Sequence, residues 1–268
     1  MPERTAELTR LARVLDDYER VHVAFSGGAD SAFLAYMAVD TLGSERAVAV
    51  TAVSPSLPST ELADGRALTE AWGLRHVEVA TDEMERAAYR RNDGDRCFWC
   101  KDALMRAMAP LAHQEGAVVA LGVNLDDLGD HRPGQRAAAD AGAVFPLVEA
   151  GFTKAMVRDA SRQLGLPTWD KPAAACLASR IPYGTAVSVE VLSRVERAEQ
   201  GLRSLGFAAL RVRHYGDTAR LEVPLDDLPR LLDQRASVVS VVKGCGYRYV
   251  TVDLEGLRSG NLNAALEG

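Results

Sequence analysis

The chain has 268 residues, 47% of them hydrophobic and 25% charged, with a formal net charge of −6. That length supports one large or two modest domains with real cores, and the composition is that of an ordinary soluble globular protein. No apolar run approaches the roughly 20 residues needed to span a bilayer, the N-terminus shows no basic-then-apolar leader, and the acidic balance counts against a nucleic-acid partner, so the expectation is a cytoplasmic protein with no membrane role.

In chain order, residues 5–17 read as an amphipathic helix, after which strands and helices alternate. The predicted series is strand 21–25, helix 31–42, strand 47–53, helix 60–72, strand 76–80, helix 100–114, strand 117–123, helix 134–141, strand 143–147 and helix 153–165. Such alternation predicts an α/β fold, a parallel sheet with helices on both faces, whose ligands bind at the carboxyl ends of the strands. The alternation stops near Pro167, and residues 167–185 hold three prolines with no clear period, the signature of a functional loop or linker. A second pattern follows: helix 188–205, a hairpin of 209–214 and 218–223 around Tyr215-Gly216-Asp217, a helix within 225–243 and a last strand 247–254. The organisation expected is a nucleotide domain over 1–170, an active-site loop over 171–187 and a small α+β domain over 188–268.

The most informative stretch is Ser26-Gly27-Gly28-Ala29-Asp30-Ser31, between the first strand and the helix after it. A Gly-Gly turn at that place exposes backbone N–H groups to a phosphate, and the helix N-terminus adds its partial positive charge. Ser26 and Ser31 can donate further bonds, and Asp30 calls for a divalent metal or an amide donor beside the phosphates. The Gly-Lys-Ser/Thr ending of a Walker loop is missing. The hexapeptide resembles the pyrophosphate-binding loop of the ATP pyrophosphatase superfamily, which cleaves ATP between its α and β phosphates. A second candidate element at the same sheet edge is the segment from Gly122 to Gly134, with Asn124, Asp126, Asp127, Asp130 and Arg132. It could hold Mg²⁺ and a substrate carboxylate, and Gly122, Asn124 and Asp127 are its candidates for contact with ATP.

Four cysteines, Cys97, Cys100, Cys176 and Cys245, are more often ligands or reactive thiols than disulfides in a cytosolic chain. Cys97-Phe98-Trp99-Cys100 at a helix start can aim two sulfurs at one metal, with Arg96 and Lys101 nearby. A structural zinc would need a fourth ligand such as Cys245 or a histidine, whereas three cysteines and one open position suit a [4Fe–4S] cluster. Cys176 sits in a polar, proline-stiffened loop that is poor core material, while Cys245 lies between two glycines with no assigned role. Arg211 and Arg213 alternate on one predicted strand and so share a face; with Arg180 they are candidates to clamp phosphate and carboxylates of a substrate.

Taken together, the phosphate loop, the Gly122–Gly134 segment, Trp169-Asp170-Lys171-Pro172 with Cys176, Ser179-Arg180-Ile181-Pro182-Tyr183-Gly184-Thr185, and Arg211-Val212-Arg213-His214 with Ala219-Arg220-Leu221-Glu222-Val223 resemble the LarE family. Its members are ATP-dependent sulfurtransferases of nickel-pincer nucleotide cofactor biosynthesis, required for lactate racemase maturation. The resemblance implies adenylation of a carboxylate of pyridinium-3,5-biscarboxylic acid mononucleotide, with Asp30 and Cys176 as catalytic residues, followed by conversion to a thiocarboxylate. The family supplies sulfur in two ways. Either Cys176 is sacrificed, or three cysteines, here Cys97, Cys100 and Cys176, hold a [4Fe–4S] cluster whose open iron carries sulfide from an external sulfide donor. This chain matches the three-cysteine type. The resemblance also implies a homo-oligomer, with Glu199 and Glu222 near a subunit contact able to take a metal ion. Competing readings are a tRNA thiolase of the same superfamily, an amide-forming ligase such as an NAD or GMP synthetase, and a zinc-stabilised nucleotide-binding module.

Overall fold

A computed structural model describes residues 5–129, 133–172 and 175–258. The chain divides into two compact units, the first formed by Met1–Glu83 with Cys97–Ala174, the second by Met84–Arg96 with Ala175–Gly268.

The first unit contains α1 (Ala6–Asp16), β1 (Val21–Ala24), α2 (Ala29–Leu42), β2 (Ala47–Val53), α3 (Ser59–Ala71) and β3 (Arg75–Ala80). Its strands β1 to β3, with β4 further along the chain (Val118–Leu121), form a parallel sheet in the order β3-β2-β1-β4. The short helix α4 (Ala87–Arg91) belongs to the second unit, and α5 (Arg96–Glu115) leads back into the first. After β4 come a 3₁₀ turn (Leu125–Gly129), α6 (Pro133–Asp140), α7 (Pro146–Glu149) and α8 (Lys154–Gln163). β1 and β2 are buried on both faces, as a sheet covered by helices on each side requires. One apolar layer gathers Phe33, Leu34, Met37, Phe152 and Val157 against β1; the other gathers Met105, Met108, Leu121 and Val123. Each such side chain, when fully buried, contributes about 1.5–3 kcal/mol.

The fifth strand expected over 143–147 is not formed. Val144 makes a single parallel bridge to Ala120, and Pro146, which has no N–H to give a ladder, starts α7 instead. Cys97 and Cys100 fall inside α5, which starts four residues before the predicted boundary.

The second unit adds α9 (Val189–Ser204), β5 (Arg211–Tyr215), β6 (Thr218–Glu222), α10 (Leu228–Asp233), α11 (Arg235–Gly244) and β7 (Tyr249–Val252). β5 and β6 form the predicted antiparallel hairpin, and β7 joins β6 in parallel. Leu202, Phe207, Val212, Leu221, Val238 and Val242 form its core. Met84–Arg96 is fixed to the proline-rich loop by Asn92. Its side-chain amide donates to the carbonyls of Ile181, Pro182 and Thr185 at 3.2, 2.8 and 3.0 Å. Asn92 is fully buried and, among the described residues, is the non-glycine residue with positive φ, +59°, a conformation that asparagine tolerates better than most side chains.

Candidate active site

The phosphate loop follows from β1 being pinned at its carboxyl end. Thr51 of β2 donates its hydroxyl to the Phe25 carbonyl at 2.8 Å and pairs with His76 Nε2 at 2.7 Å. Beyond Phe25 the chain turns through Gly27 at φ +70°, and Gly28 starts α2 with no side-chain cap. The first-turn N–H groups of α2 are therefore not claimed by a capping side chain, the arrangement an anion needs. Ser31 stabilises the loop from inside: its hydroxyl accepts from the Ser26 N–H at 3.2 Å, lies 3.1 Å from Ser26 Oγ, and donates to the Gly28 carbonyl at 3.2 Å.

The strand β4 delivers the second half of this site. Asn124, fully buried, donates its amide to Asp30 Oδ1 at 3.2 Å, while its backbone N–H donates to Asp127 Oδ2 at 3.2 Å. Asp126 caps the start of α8, accepting from the Lys154 N–H at 2.7 Å. Burial raises the Asp30 carboxyl above its usual range; the Asn124 hydrogen bond opposes this, and the negative charge of Asp127 reinforces it. Two carboxylates thus share Asn124 as a donor beside the uncapped helix end, a place suited to a divalent cation shared with phosphate oxygens. Gly122 is part of the close fit. A Cβ there would lie 2.9 Å from the Asp30 carbonyl carbon and from the Ser31 nitrogen. Ser26, Gly27, Gly28, Asp30, Ser31, Gly122, Asn124 and Asp127 are therefore brought together, while Asp130, His131 and Arg132 lie outside the described residues. Thr51 and His76 were not singled out from the sequence, since a threonine in an apolar strand looks like an ordinary β-former. The Glu83 carboxylate likewise carries no local sequence signal; it is buried and receives a hydrogen bond from Ser56.

Cys97 is exposed and Cys100 partly buried in the first turn of α5. Burial pushes the Lys101 ammonium below its ordinary range, and Cys100 and Cys97 beside it act in the opposite direction. Phe98 and Trp99 meet edge to face at 5.2 Å. Arg96 donates to Asn92 Oδ1 and to the Ala178 carbonyl, and lies 5.6 Å from the centre of the Tyr183 ring. Among the described residues no three His, Cys, Asp or Glu side chains gather closely enough to hold a metal ion.

Cys176 belongs to the second unit and is partly buried; Ala173 and Ala174 just before it lie outside the described residues. Around its loop stand the arginines and glutamates singled out from the sequence. Arg180 and Arg213 are buried, not open to a ligand: Arg180 pairs with Glu199 through two hydrogen bonds at 2.9 and 3.2 Å, and Arg213 pairs with Glu222 at 2.8 Å. Glu199 also meets Arg203, and Glu222 meets Arg220. The expected metal ligands Glu199 and Glu222 are thus surrounded by guanidinium groups. Arg211, half-buried, donates to the Arg258 carbonyl, and its guanidinium is held below its ordinary range by burial and by the charges of Arg180 and Arg213. Cys245 donates to the Val241 carbonyl at the end of α11.

A parallel sheet with an uncapped glycine turn at the carboxyl end of β1, faced by Asp30, Asn124 and Asp127, defines an ATP pyrophosphatase of the PP-loop type. Consistent with this, the family model described as NAD synthase matches residues 12–103. Three relatives extend the likeness along the chain. An uncharacterized protein of Synechocystis is 43% identical over 264 residues, 97% of this chain and 98% of that one. The pyridinium-3,5-bisthiocarboxylic acid mononucleotide synthase of Lactiplantibacillus plantarum is 37% identical over 257 residues, 96% and 93% of the two chains. An uncharacterized protein of Methanocaldococcus jannaschii is 24% identical over 242 residues, 90% and 92%. The chain belongs to the family of the pyridinium-3,5-bisthiocarboxylic acid mononucleotide synthase, the LarE family, and is an enzyme: a sulfurtransferase built on an ATP pyrophosphatase domain. Among the described residues no helix is long and apolar enough to cross a membrane.

Proposed function

We propose that the chain adenylates a carboxylate of pyridinium-3,5-biscarboxylic acid mononucleotide and converts it to a thiocarboxylate, a step of nickel-pincer nucleotide assembly. The observation that carries the reading is the Asp30–Asn124–Asp127 arrangement beside the uncapped start of α2, together with 37% identity to a synthase of the corresponding bisthiocarboxylate. A substrate carboxylate oxygen attacks the α-phosphorus of ATP, the bond to the bridging oxygen breaks, and pyrophosphate leaves. A sulfide sulfur then attacks the acyl carbon and AMP leaves, giving the thiocarboxylate. Activation is needed because a free carboxylate is a poor acyl donor to a nucleophile. The backbone N–H groups after Gly27 and the start of α2 hold the phosphates, while Asp30 and Asp127 serve the accompanying Mg²⁺. Arg211, whose guanidinium is the least engaged of the three arginines, contacts an anionic group of the substrate.

For the sulfur source, the reading is a [4Fe–4S] cluster anchored by Cys97, Cys100 and Cys176. Two thiols in one helical turn supply soft donors suited to iron. When bound, such a cluster supplies an iron with no protein ligand that can carry sulfide. A second reading needs one cysteine only. It makes Cys176 itself the donor, its sulfur lost and the residue left as dehydroalanine. Anaerobic reconstitution followed by iron and sulfide analysis separates the two. The cluster reading expects bound iron, its loss in Cys97→Ala, Cys100→Ala and Cys176→Ala but not Cys245→Ala, and an unchanged protein mass after turnover. An active Cys97→Ala protein that loses the mass of one H₂S would establish the sacrificial route.

A further inference from the structure

We infer that Arg180, locked by Glu199, is a positioning residue for Cys176: its guanidinium holds the main chain on both sides of that residue and sets the direction of the thiol. The inference rests on the reading of Cys176 as the residue that handles sulfur.

All three nitrogens of the Arg180 guanidinium are occupied. Nε and Nη2 donate to the two carboxylate oxygens of Glu199 at 2.9 and 3.2 Å, the planar two-point pairing that fixes a guanidinium in orientation. Nη1, outside that two-point grip, donates to the Ala175 carbonyl at 2.7 Å, the Cys176 carbonyl at 3.2 Å and Ser179 Oγ at 3.0 Å. The Cys176 carbonyl also accepts from the Ser179 N–H at 2.9 Å, closing a 3₁₀ turn over Leu177–Arg180. The peptide bond before Cys176 and the one after it are thus both held by one nitrogen. The guanidinium that carries it is held, through Nε and Nη2, by a carboxylate 1% exposed, anchored in α9 and tied to β5 by the Val212 N–H at 3.1 Å. Arg213 repeats the design one step along, donating from Nη1 to the Ser179 carbonyl at 2.7 Å while Glu222 holds its Nη2. A carboxylate buried this deeply is tolerated only with paired partners, and the donors its partner has left are spent on the two consecutive carbonyls that flank Cys176. Reaction at an acyl-adenylate demands such control, since a displaced sulfur leaves the activated carbon open to water.

Full-length wild type, Glu199→Gln and Arg180→Lys are compared in amide exchange of residues 176–181, in pyrophosphate release and in thiocarboxylate formation. Lysine keeps a charge for Glu199 but cannot reach two carbonyls and a carboxylate together, so it tests the clamp should Glu199→Gln fold poorly. The expected result is amide exchange in that loop faster by at least about tenfold, the loss of one charge-assisted hydrogen bond. Pyrophosphate release should stay within about twofold, and thiocarboxylate formed per pyrophosphate should fall at least about tenfold, with the acyl-adenylate hydrolysed instead. Unchanged loop exchange in Arg180→Lys overturns the clamp, as does a wild-type yield of thiocarboxylate per pyrophosphate. Failure of the underlying reading is visible separately: Cys176→Ala would then transfer sulfur like wild type, whatever the exchange of the loop.

Discussion

The phosphate loop and the Cys176 loop are built on opposite plans. The first is made of small residues contiguous in sequence; the Ser26 and Gly28 N–H groups are taken by the Ser31 and Ser26 hydroxyls, and its working groups are the first-turn N–H groups of α2, which has no side-chain cap. The second is held by charged and amide side chains drawn from distant positions: Arg96 and Asn92 before it, Arg180 within it, Glu199 and Arg213 after it. A loop that must receive a highly charged ligand keeps its donors available. The Cys176 loop has its carbonyls tied down, and on the proposed function this lets one geometry of the thiol dominate before substrate arrives.

The contrast can be broken from either side. The largest effect is expected from Asp30→Ala, which should lower substrate-dependent pyrophosphate release by about 10²–10³-fold while the thermal midpoint stays near wild type, because the carboxylate it removes is held in a place that disfavours its charge. Next, Glu222→Ala should destabilise the protein by about 3–5 kcal/mol in denaturant unfolding, since it leaves the buried guanidinium of Arg213 without its partner; replacing both residues by apolar ones of similar volume should recover most of the loss. Gly122→Ala probes the fit between β4 and α2. Its new methyl meets backbone atoms of Asp30 and Ser31, and a cost of about 1–3 kcal/mol should be seen as a raised KM for ATP in pyrophosphate release.

The smallest effect is on pH. His22, His76 and His214 are each held below the ordinary histidine range, with burial the main cause. The unfolded chain therefore binds more protons than the folded one as pH drops through about 6.5, so stability is present above that value and declines below it until the folded histidines protonate. Thermal midpoints measured across that range should fall with acid, and His22→Gln should flatten the slope.

How much of this was legible in the sequence follows from the same contrast. The β1–loop–α2 unit could be read because its signal is local: an apolar run, a glycine pair and an amphipathic helix in a row. The pairing of Asn124 with Asp30 could be anticipated as a shared sheet edge, though not as a hydrogen bond. Asn92 could not be read, because its role depends on three carbonyls some ninety positions away and on a left-handed backbone that a polar stretch does not announce. Arg180 and Arg213 looked like ligand-binding arginines because residue type and alternation say nothing of which carboxylates will lie opposite. The strand expected at 143–147 failed on a single residue, Pro146, whose missing N–H outweighed the apolar pattern.

On the proposed function, ATP is cleaved to activate a carboxylate for sulfur. The direct measurement follows pyrophosphate and acyl product together, with pyridinium-3,5-biscarboxylic acid mononucleotide, Mg²⁺-ATP and anaerobically reconstituted protein supplied with sulfide. The expected result is pyrophosphate release that depends on the mononucleotide, one AMP for each pyrophosphate, and a product whose mass shows one carboxylate oxygen replaced by sulfur. Pyrophosphate release that ignores the mononucleotide and rises instead with ammonia or tRNA, yielding an amide or a thiolated base, would contradict it.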